Sequence, residues 1–183
     1  ETILTAAPAG YRLLEVGPGH GLQLALAAAD ARCTEVVGWD VSAASLKATA
    51  ATLRALNLAP RVRVDRRDAA ADSPAAFPRF DRVVASEVLE HLDHPVATLR
   101  RLAALMTPHG RLFINVPINS PAPDHVHLLR TPEAVLEMVR DAGLAVEFSR
   151  AYPVSGYDEA RARRQQMTMS VTVIARRPAA GAR

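Results

Sequence analysis

Glu15-Val16-Gly17-Pro18-Gly19-His20-Gly21 is the stretch that decides the fold of this chain. It follows the apolar run at residues 12–16, which predicts a buried strand, and it leads into residues 21–29, which predict a helix. Glycines let the main chain turn tightly and let a ligand approach without a Cβ in the way. The helix that follows offers unpaired N–H groups to an anionic group such as a carboxylate. The stretch therefore indicates either a ligand-binding turn or a merely tight turn between a strand and a helix.

The rest of the chain alternates short apolar runs with longer helical patterns. Further strands are predicted at residues 35–40, 61–64, 80–86, 111–116, 144–152 and 167–176. Helices are predicted after Ser42, from Pro95 and from Thr131, because Ser42 can cap a helix and Pro95 suits a first helical position. Gly110 and Gly143 are predicted to end the connections before the strands that follow them. This alternation predicts a mostly parallel sheet with helices on both faces and a ligand site beyond the carboxyl ends of its strands.

Length and composition indicate one globular domain spanning residues 1–183. The chain is 49% hydrophobic and 22% charged, and its one cysteine, Cys33, can form neither an internal disulfide nor a zinc cluster. It has no apolar run of membrane-spanning length, and its first residues lack the basic start and apolar core of a signal peptide. We therefore expect a cytoplasmic protein.

The basic residues are scattered rather than gathered in one stripe. The chain has 22 Lys and Arg against 19 Asp and Glu, which gives a formal net charge of +3, and only 4% of its residues are aromatic. A nucleic-acid surface usually needs a concentrated basic face, often with aromatic side chains. We therefore expect neither a nucleic-acid partner nor a membrane partner.

Two acids follow later strands at the same edge of the predicted sheet. Asp40 ends the second strand, where its carboxylate can accept hydrogen bonds from ribose hydroxyls or, alternatively, share the capping of the next helix with Ser42. Asp68 follows the third strand, where it can accept from the exocyclic amine of adenine or be a plain loop acid. The glycine stretch and the two acids occur in order, each at the carboxyl end of a strand, and this joint placement favours a nucleoside-bearing ligand.

On these motifs the chain resembles the class I S-adenosylmethionine-dependent methyltransferases, in the small-molecule methylase group, over residues 12–176. Residues 15–21 match the first motif of the family, and Val37-Gly38-Trp39-Asp40-Val41-Ser42 matches the second. Asp68-Ala69 matches the adenine-binding position. Phe80-Asp81-Arg82-Val83-Val84-Ala85-Ser86-Glu87-Val88-Leu89-Glu90-His91-Leu92 matches the motif of the fourth strand, and Pro108-His109-Gly110-Arg111-Leu112 resembles the turn into strand five.

The resemblance implies a Rossmann-like α/β fold, with a seven-stranded sheet in the order 3-2-1-4-5-7-6, strand seven antiparallel and helices on both faces. It implies an enzyme that transfers a methyl group from S-adenosylmethionine to an oxygen, nitrogen or carbon atom of a small molecule, with S-adenosylhomocysteine as the product. It further implies a set of cofactor-binding residues: Glu15, Gly17, Gly19, Gly21, Asp40, Val41, Asp68, Ala69, Ser86 and Glu87. In that set, Glu15 holds the amino group through water, Asp40 holds the ribose, and Ser86 and Glu87 lie near the sulfonium.

Three histidines are candidates for catalysis. A sulfonium methyl is already electrophilic, so the protein has to align the acceptor, exclude water and, for a protonated acceptor, supply a base. His91 follows the fourth strand, and His125 and His127 lie on the long Pro-rich connection at residues 117–130. We predict that His91, His125 or His127 acts as the base or positions the acceptor, and hydrogen bonding to the backbone is the alternative. The pairs His91-x-x-His94 and His125-x-His127 would form a metal site only if that connection folds over strand four, so no metal ligand is predicted.

Departures of the sequence from the family pattern leave other functions to consider. About 11 residues precede Arg12, whereas the family usually carries a few tens that form a helical lid. We therefore expect most of the lid to be missing, and a non-catalytic cofactor-binding scaffold stays open. The high isoelectric point keeps RNA methylation open, whereas the absence of Asn/Asp-Pro-Pro-Tyr after strand four argues against methylation of DNA bases. The Gly-x-Gly-x-Gly spacing and Asp68 weigh against a nicotinamide-dependent oxidoreductase.

Overall fold

Seven strands form one sheet in the computed structural model, which describes residues 3–153 and 157–179. The strands span Tyr11–Val16 (β1), Cys33–Asp40 (β2), Val62–Arg66 (β3), Phe80–Ser86 (β4), Met106–Ile118 (β5), Ala145–Pro153 (β6) and Met169–Arg176 (β7). They lie in the order β3-β2-β1-β4-β5-β7-β6. Neighbouring strands pair in parallel, except that β7 runs antiparallel to β5 and β6. The predicted strand order and the antiparallel seventh strand are confirmed.

Five α-helices are found among the described residues. They span Leu22–Ala29 (α1), Ala43–Ala55 (α2), Pro95–Ala104 (α3), Pro132–Asp141 (α4) and Glu159–Arg164 (α5). Ser42 and Thr131 each accept a backbone N–H from the residue three positions later, so both cap the helices that follow them. Pro95 opens α3, and Gly143 follows α4 with a φ of 80°. None of the helices within residues 3–153 and 157–179 is long and apolar enough to cross a membrane.

Helices cover both faces of the sheet, and successive side chains of β1 pack against opposite faces. Leu13 of β1 joins the apolar cluster that contains Leu24 of α1 and Leu53 of α2. The next residue, Leu14, joins the cluster that contains Leu99 of α3. Successive side chains of a strand point to opposite faces, so both faces of β1 are buried. This explains why β1 contains a continuous apolar run rather than an alternating pattern.

The start of β5 differs from the prediction. The strand begins at Met106, earlier than predicted, and Gly110 lies within it instead of ending the connection. Met106 pairs with Phe80 of β4, and the register then shifts before Arg111 pairs with Arg82, so the residues between them bulge. A Cβ on Gly110 would lie 3.0 Å from the backbone oxygen of Phe80, which favours glycine in this bulge. The short α5, between β6 and β7, was also not predicted.

The connection between β5 and α4 is fixed against the segment that follows β4. The backbone N–H groups of Val126 and His127 both donate to the carbonyl oxygen of Glu90, at 2.8 and 3.2 Å. Asn119 N–H donates to the carbonyl of Leu129 at 2.9 Å, which closes the base of the loop. The loop therefore folds over the carboxyl end of β4.

Candidate functional site

The turn after β1 has a backbone conformation that favours glycine. Gly17, Gly19 and Gly21 have φ values of 65°, 53° and 77°, all in the left-handed region. A Cβ on Gly17 would lie 2.6 Å from Cγ2 of Val88, whereas a Cβ on Gly19 would meet no atom of residues 3–153 and 157–179 within 4 Å. Gly17 therefore allows two loops to pack closely, and Gly19 leaves the main chain open to a ligand.

A cleft of about 560 Å³ opens at this turn, beyond the carboxyl ends of β1, β2, β3 and β4. Its volume is within the range of small-molecule and cofactor sites, roughly 300–1,000 Å³. The predicted site residues that line it are Gly17, Gly19, Asp40, Val41, Asp68, Ala69, Glu87 and His91. Those that are not among its lining residues are Glu15, Gly21, Ser86, His125 and His127. The fold thus brings the connections after four strands to one space at the switch point of the sheet.

Asp40 already bonds the first turn of α2. Its Oδ1 accepts from the N–H of Ser42 at 2.8 Å, and its Oδ2 accepts from Oγ of Ser45 at 2.5 Å. The helix-capping role that was the alternative for Asp40 is therefore present in the structure. Each carboxylate oxygen can accept more than one hydrogen bond, so these contacts leave room for ribose hydroxyls in the cleft.

Asp68 and Val41 line the part of the cleft beside Asp40. Asp68 Oδ1 accepts from the N–H of Ala70 at 2.8 Å, which fixes the side chain in the turn after β3. Val41 is 56% exposed, although it is apolar. An acid and an exposed apolar side chain at one wall of a cleft suit a ring that carries an amino group.

Glu15 lies beneath the glycine turn rather than in the lining of the cleft. The residue is only 3% exposed, and its Oε2 has no hydrogen-bond partner among the described residues. Burial raises the pKa of Glu15 to about 8, against the smaller lowering effect of the backbone N–H of Leu24. This position fits a contact with a ligand through water.

Glu87 is held at the edge of the cleft by β5. Asn115 donates from Nδ2 to Glu87 Oε1 at 2.6 Å, and the N–H of Glu87 donates to the carbonyl of Asn115 at 2.9 Å. Glu87 has a φ of 54°, and partial burial raises the pKa of its carboxyl group above the ordinary value. Ser86, which ends β4, does not line the cleft.

His91 and His125 meet beside the buried acid Glu90. Their ring centroids are 4.9 Å apart, with the ring planes at 80°. One potential ligand atom from each of Glu90, His91 and His125 lies within 4.8 Å of the other two. Glu90 is 1% exposed, and burial raises the pKa of its carboxyl group. His127 lies outside this group, and its Nε2 is 3.3 Å from the carbonyl oxygen of Asp93.

Sequence patterns did not single out Glu90, Asn115 or Asp124. Asn115 lies in an apolar strand, and Asp124 is one polar residue of a polar loop, so neither carried a recognisable signal. Glu90 precedes His91 directly at the carboxyl end of a predicted strand, and that adjacency of an acid and an imidazole could have indicated it. Asp124 lines the cleft, and its carbonyl oxygen is 2.9 Å from Nδ1 of His91.

Comparison with protein families gives a match over residues 14–112, to the family described as Methyltransferase domain. The matched span is more than half of the 183 residues. It runs from β1 into β5 and contains the glycine turn, Asp40, Asp68 and His91.

Individual proteins resemble the chain in sequence or in fold. The ubiquinone biosynthesis O-methyltransferase of Xanthomonas euvesicatoria pv. vesicatoria (strain 85-10) is 37% identical over 120 residues, which are 62% of this chain and 46% of that protein. The chain thus spans about half the length of the curated relatives it matches. The cyclase SpnF has a TM-score of 0.74 at 22% identity, over 93% of this chain and 76% of that one. The N-terminal domain of EvdMO1, solved in the presence of SAH and D-fucose, has a TM-score of 0.67 at 17% identity, over 93% and 78%. At these identities the structural matches show the fold alone.

Proposed function

The chain belongs to the methyltransferase domain family, and from this premise we propose that it transfers a methyl group from S-adenosylmethionine to a hydroxyl oxygen of a small molecule. The observation that carries the proposal is the convergence of the glycine turn, Asp40, Asp68 and His91 on one cleft. The name of the Xanthomonas relative, an O-methyltransferase, supports oxygen as the acceptor atom.

The residues of the cleft suit an adenosyl ligand. The open main chain at Gly19 lets a carboxylate approach the N–H groups at the start of α1. Asp40 and Asp68 supply acceptors for ribose hydroxyls and an adenine amine, and Val41 supplies an apolar surface between them. The unpartnered Oε2 of Glu15 behind the turn is available to an ammonium group through water. The SAH named with EvdMO1 supports the same type of ligand here.

The cofactor and the protein contribute different parts of the proposed methyl transfer. S-adenosylmethionine, when bound, supplies a sulfonium methyl whose carbon–sulfur bond breaks as the new carbon–oxygen bond forms, and S-adenosylhomocysteine leaves. The acceptor hydroxyl gives up one proton in the same overall reaction. The protein therefore has to align the hydroxyl oxygen, keep water out and provide a place for that proton.

We assign the proton-accepting role to the imidazoles beside the cleft. The carbonyl oxygen of Asp124 can only accept a hydrogen bond, so Nδ1 of His91, 2.9 Å away, carries the hydrogen. Nε2 of a neutral His91 then has a free lone pair, and His91 itself lines the cleft. His125 packs against this ring and positions it. His127 is directed to Asp93, so we expect it to matter least of the three.

Calorimetric titration with S-adenosylhomocysteine tests the first part of this function. We expect binding at one site, which is lost in Asp68→Ala and kept in Asp65→Ala, because Asp65 lies on β3 outside the cleft lining. Binding that is equal in both variants would contradict the assignment of the cleft.

Measurement of methyl transfer tests the second part of this function, the use of a hydroxyl acceptor. The protein is incubated with methyl-labelled S-adenosylmethionine and a panel of phenols, catechols and aliphatic alcohols, and label transfer to the acceptor is counted. We expect transfer to a hydroxyl acceptor, reduced at least about 100-fold in His91→Gln if a general base of ordinary efficiency is removed. His109→Gln, at an exposed position in the bulge of β5, is the matched control. Tight binding of the cofactor with no methyl transfer to any acceptor would instead favour a non-catalytic protein that binds the cofactor as a scaffold.

A further inference from the structure

We propose that Glu90, His91 and His125 form a binding site for one divalent transition-metal ion. The three side chains come from two separate segments, a turn after β4 and the loop after β5. One potential ligand atom of each lies within 4.8 Å of the other two. The proposal rests on this geometry, and it does not require the methyl-transfer function to be correct.

The carboxylate of Glu90 needs a partner that the described residues do not supply. Its side chain is completely inaccessible to solvent, and within the described part of the chain neither Oε1 nor Oε2 has a hydrogen-bond partner. A buried carboxylate without partners is strongly destabilising, and proteins retain such groups when they are paired or coordinate a metal. The nearest cationic candidate is Nε2 of His91, at 3.9 Å from Oε1, which is too far for a hydrogen bond.

Backbone carbonyl groups prepare both imidazoles to act as ligands. Nδ1 of His91 is 2.9 Å from the carbonyl oxygen of Asp124, and Nδ1 of His125 is 2.8 Å from that of Ser120. Because a carbonyl oxygen only accepts, each Nδ1 carries a hydrogen, and the lone pair of each neutral ring is at Nε2. Metal-binding histidines commonly use one ring nitrogen for the ion and donate from the other to a carbonyl or carboxylate group.

The set of donors indicates which ions can bind. Two imidazole nitrogens and one carboxylate oxygen suit zinc and neighbouring first-row metals, whereas magnesium and calcium prefer oxygen ligands. Ligand atoms about 2.1 Å from a tetrahedral zinc ion are about 3.4 Å apart. Side-chain movements on the order of 1 Å therefore close the present arrangement around an ion. Three protein ligands leave a position for a further ligand.

The proposed metal site borders the cleft, because His91 also lines the cleft. A metal ion polarises a bound hydroxyl group and makes it easier to deprotonate. If the proposed methyl transfer is correct, an ion held here would bind the acceptor hydroxyl and make its proton easier to lose. With the ion bound, Nε2 of His91 is a metal ligand, so the base role assigned to His91 above applies to the protein without the ion. This role rests on the proposed function, whereas metal binding itself does not.

Direct metal binding tests the proposal without any cofactor. The protein is stripped with a chelator, and zinc affinity is measured by competition with a chromophoric chelator. We expect one zinc ion per chain, with affinity reduced at least about 100-fold in His125→Gln and in Glu90→Gln, since even loss of an outer-shell partner typically weakens binding 10–100-fold. His94→Gln is the matched control and is expected to bind zinc like the unaltered protein, because His94 is outside the cluster.

Cobalt substitution identifies the ligands. We expect visible absorption bands of a four- or five-coordinate site in the unaltered protein and in His94→Gln, and their loss in His125→Gln. Circular dichroism verifies that each variant is folded. A folded, stripped protein that binds zinc no more tightly than His125→Gln would overturn the proposal. Titration with S-adenosylhomocysteine on the same samples separates this outcome from failure of the methyltransferase function, because each binding event is measured alone.

Discussion

A Cβ placed on Gly17 would lie 2.6 Å from Cγ2 of Val88, so the turn after β1 packs directly against the segment that follows β4. The first segment carries the glycine turn, and the second carries Glu87, Glu90 and His91. Val is β-branched and stiff at χ1, so its methyl group cannot move away freely. A side chain at position 17 would therefore separate the two halves of the candidate site.

We expect Gly19→Ala to abolish or severely weaken binding of S-adenosylhomocysteine while the protein stays folded. Its φ of 53° makes alanine unfavourable by about 1–2 kcal/mol, and the new methyl group would have no atom of the described residues within 4 Å. The matched control is Gly143→Ala, because Gly143 also has a positive φ, 80°, and open space at its Cβ, but it lies after α4. Calorimetry and thermal melting check both variants. Equal binding in both would mean that the turn does not contact the ligand.

The contribution of Asp40 can be separated from its role at α2. Asp40→Ala removes the acceptor for Ser42 and Ser45 as well as the acceptor proposed for the ribose, whereas Ser45→Ala, at a residue that also lines the cleft, removes one bond to Asp40 and keeps its carboxylate. Hydrogen bonds to a charged group contribute about 1.5–3 kcal/mol, so we expect roughly a 10- to 100-fold loss of S-adenosylhomocysteine affinity in Asp40→Ala. Ser45→Ala should change it much less. Similar losses in the two variants would show that Asp40 acts only through the helix.

The pKa of Glu15 predicts a loss of stability with rising pH. In the unfolded chain this group titrates near its ordinary value of 4.5, and burial raises its pKa to about 8 in the folded protein. Between these values the folded state holds more protons, so the free energy of unfolding decreases as the pH rises from about 4.5 to about 8, by on the order of a few kcal/mol. Urea unfolding across this range should show that decrease, and Glu15→Gln should make it shallower, because the raised pKa values of Glu87 and Glu90 contribute a slope of the same sign. The same slope in the variant would assign the effect to other groups.

Most of the strands and helices could be predicted because they are specified locally, whereas α5 and the start of β5 were not. Ser42, Pro95 and Gly143 satisfy or terminate helix ends by contacts within a few residues, and the structure has them at those ends. Gly110 misled the prediction of β5, because glycine is common in turns, and here it relieves a close contact with the carbonyl of Phe80 on a neighbouring strand. That contact joins residues far apart in the sequence, so no local pattern reports it.

At the candidate site too, local sequence patterns do not predict which distant residues come together, as the histidine cluster shows. The sequence paired His91 with His94 and His125 with His127, whereas the fold brings together one member of each pair. His91 ends a short 3-10 turn and His94 precedes α3. His125 and His127 are two positions apart, yet their rings contact Ser120 and Asp93, which lie in different segments. Which imidazole meets Glu90 depends on how the loop after β5 crosses β4, and sequence spacing does not encode that crossing.

Substitution of Arg82 is expected to lower the stability of the protein without changing the cleft. The residue is 1% exposed, and its guanidinium donates to the carbonyl oxygens of Ile3 at 2.9 Å and Ala6 at 2.6 Å, which fastens the segment before β1 to β4. Arg82→Met fits a similar volume but leaves the carbonyl group of the buried Ile3 without its donor, so we expect a loss of about 1–3 kcal/mol in the free energy of unfolding. The N-terminal segment should also exchange its amide hydrogens faster.

Binding of S-adenosylhomocysteine should be nearly unchanged in Arg82→Met, because Arg82 is not among the residues lining the cleft. Arg79→Met is the matched control, since the guanidinium of Arg79 is exposed and donates to Ala104 and Met106 at the far end of the sheet. We expect it to change stability much less, because its bond to Ala104 is exposed to water and its contact with the carbonyl of Met106 is long, at 3.5 Å. Hydrogen exchange and urea unfolding distinguish the two variants. If Arg82→Met kept its stability but lost ligand affinity, the N-terminal segment would have to act on the cleft through β4. The prediction that Arg82 contributes to stability and not to ligand binding would then be wrong.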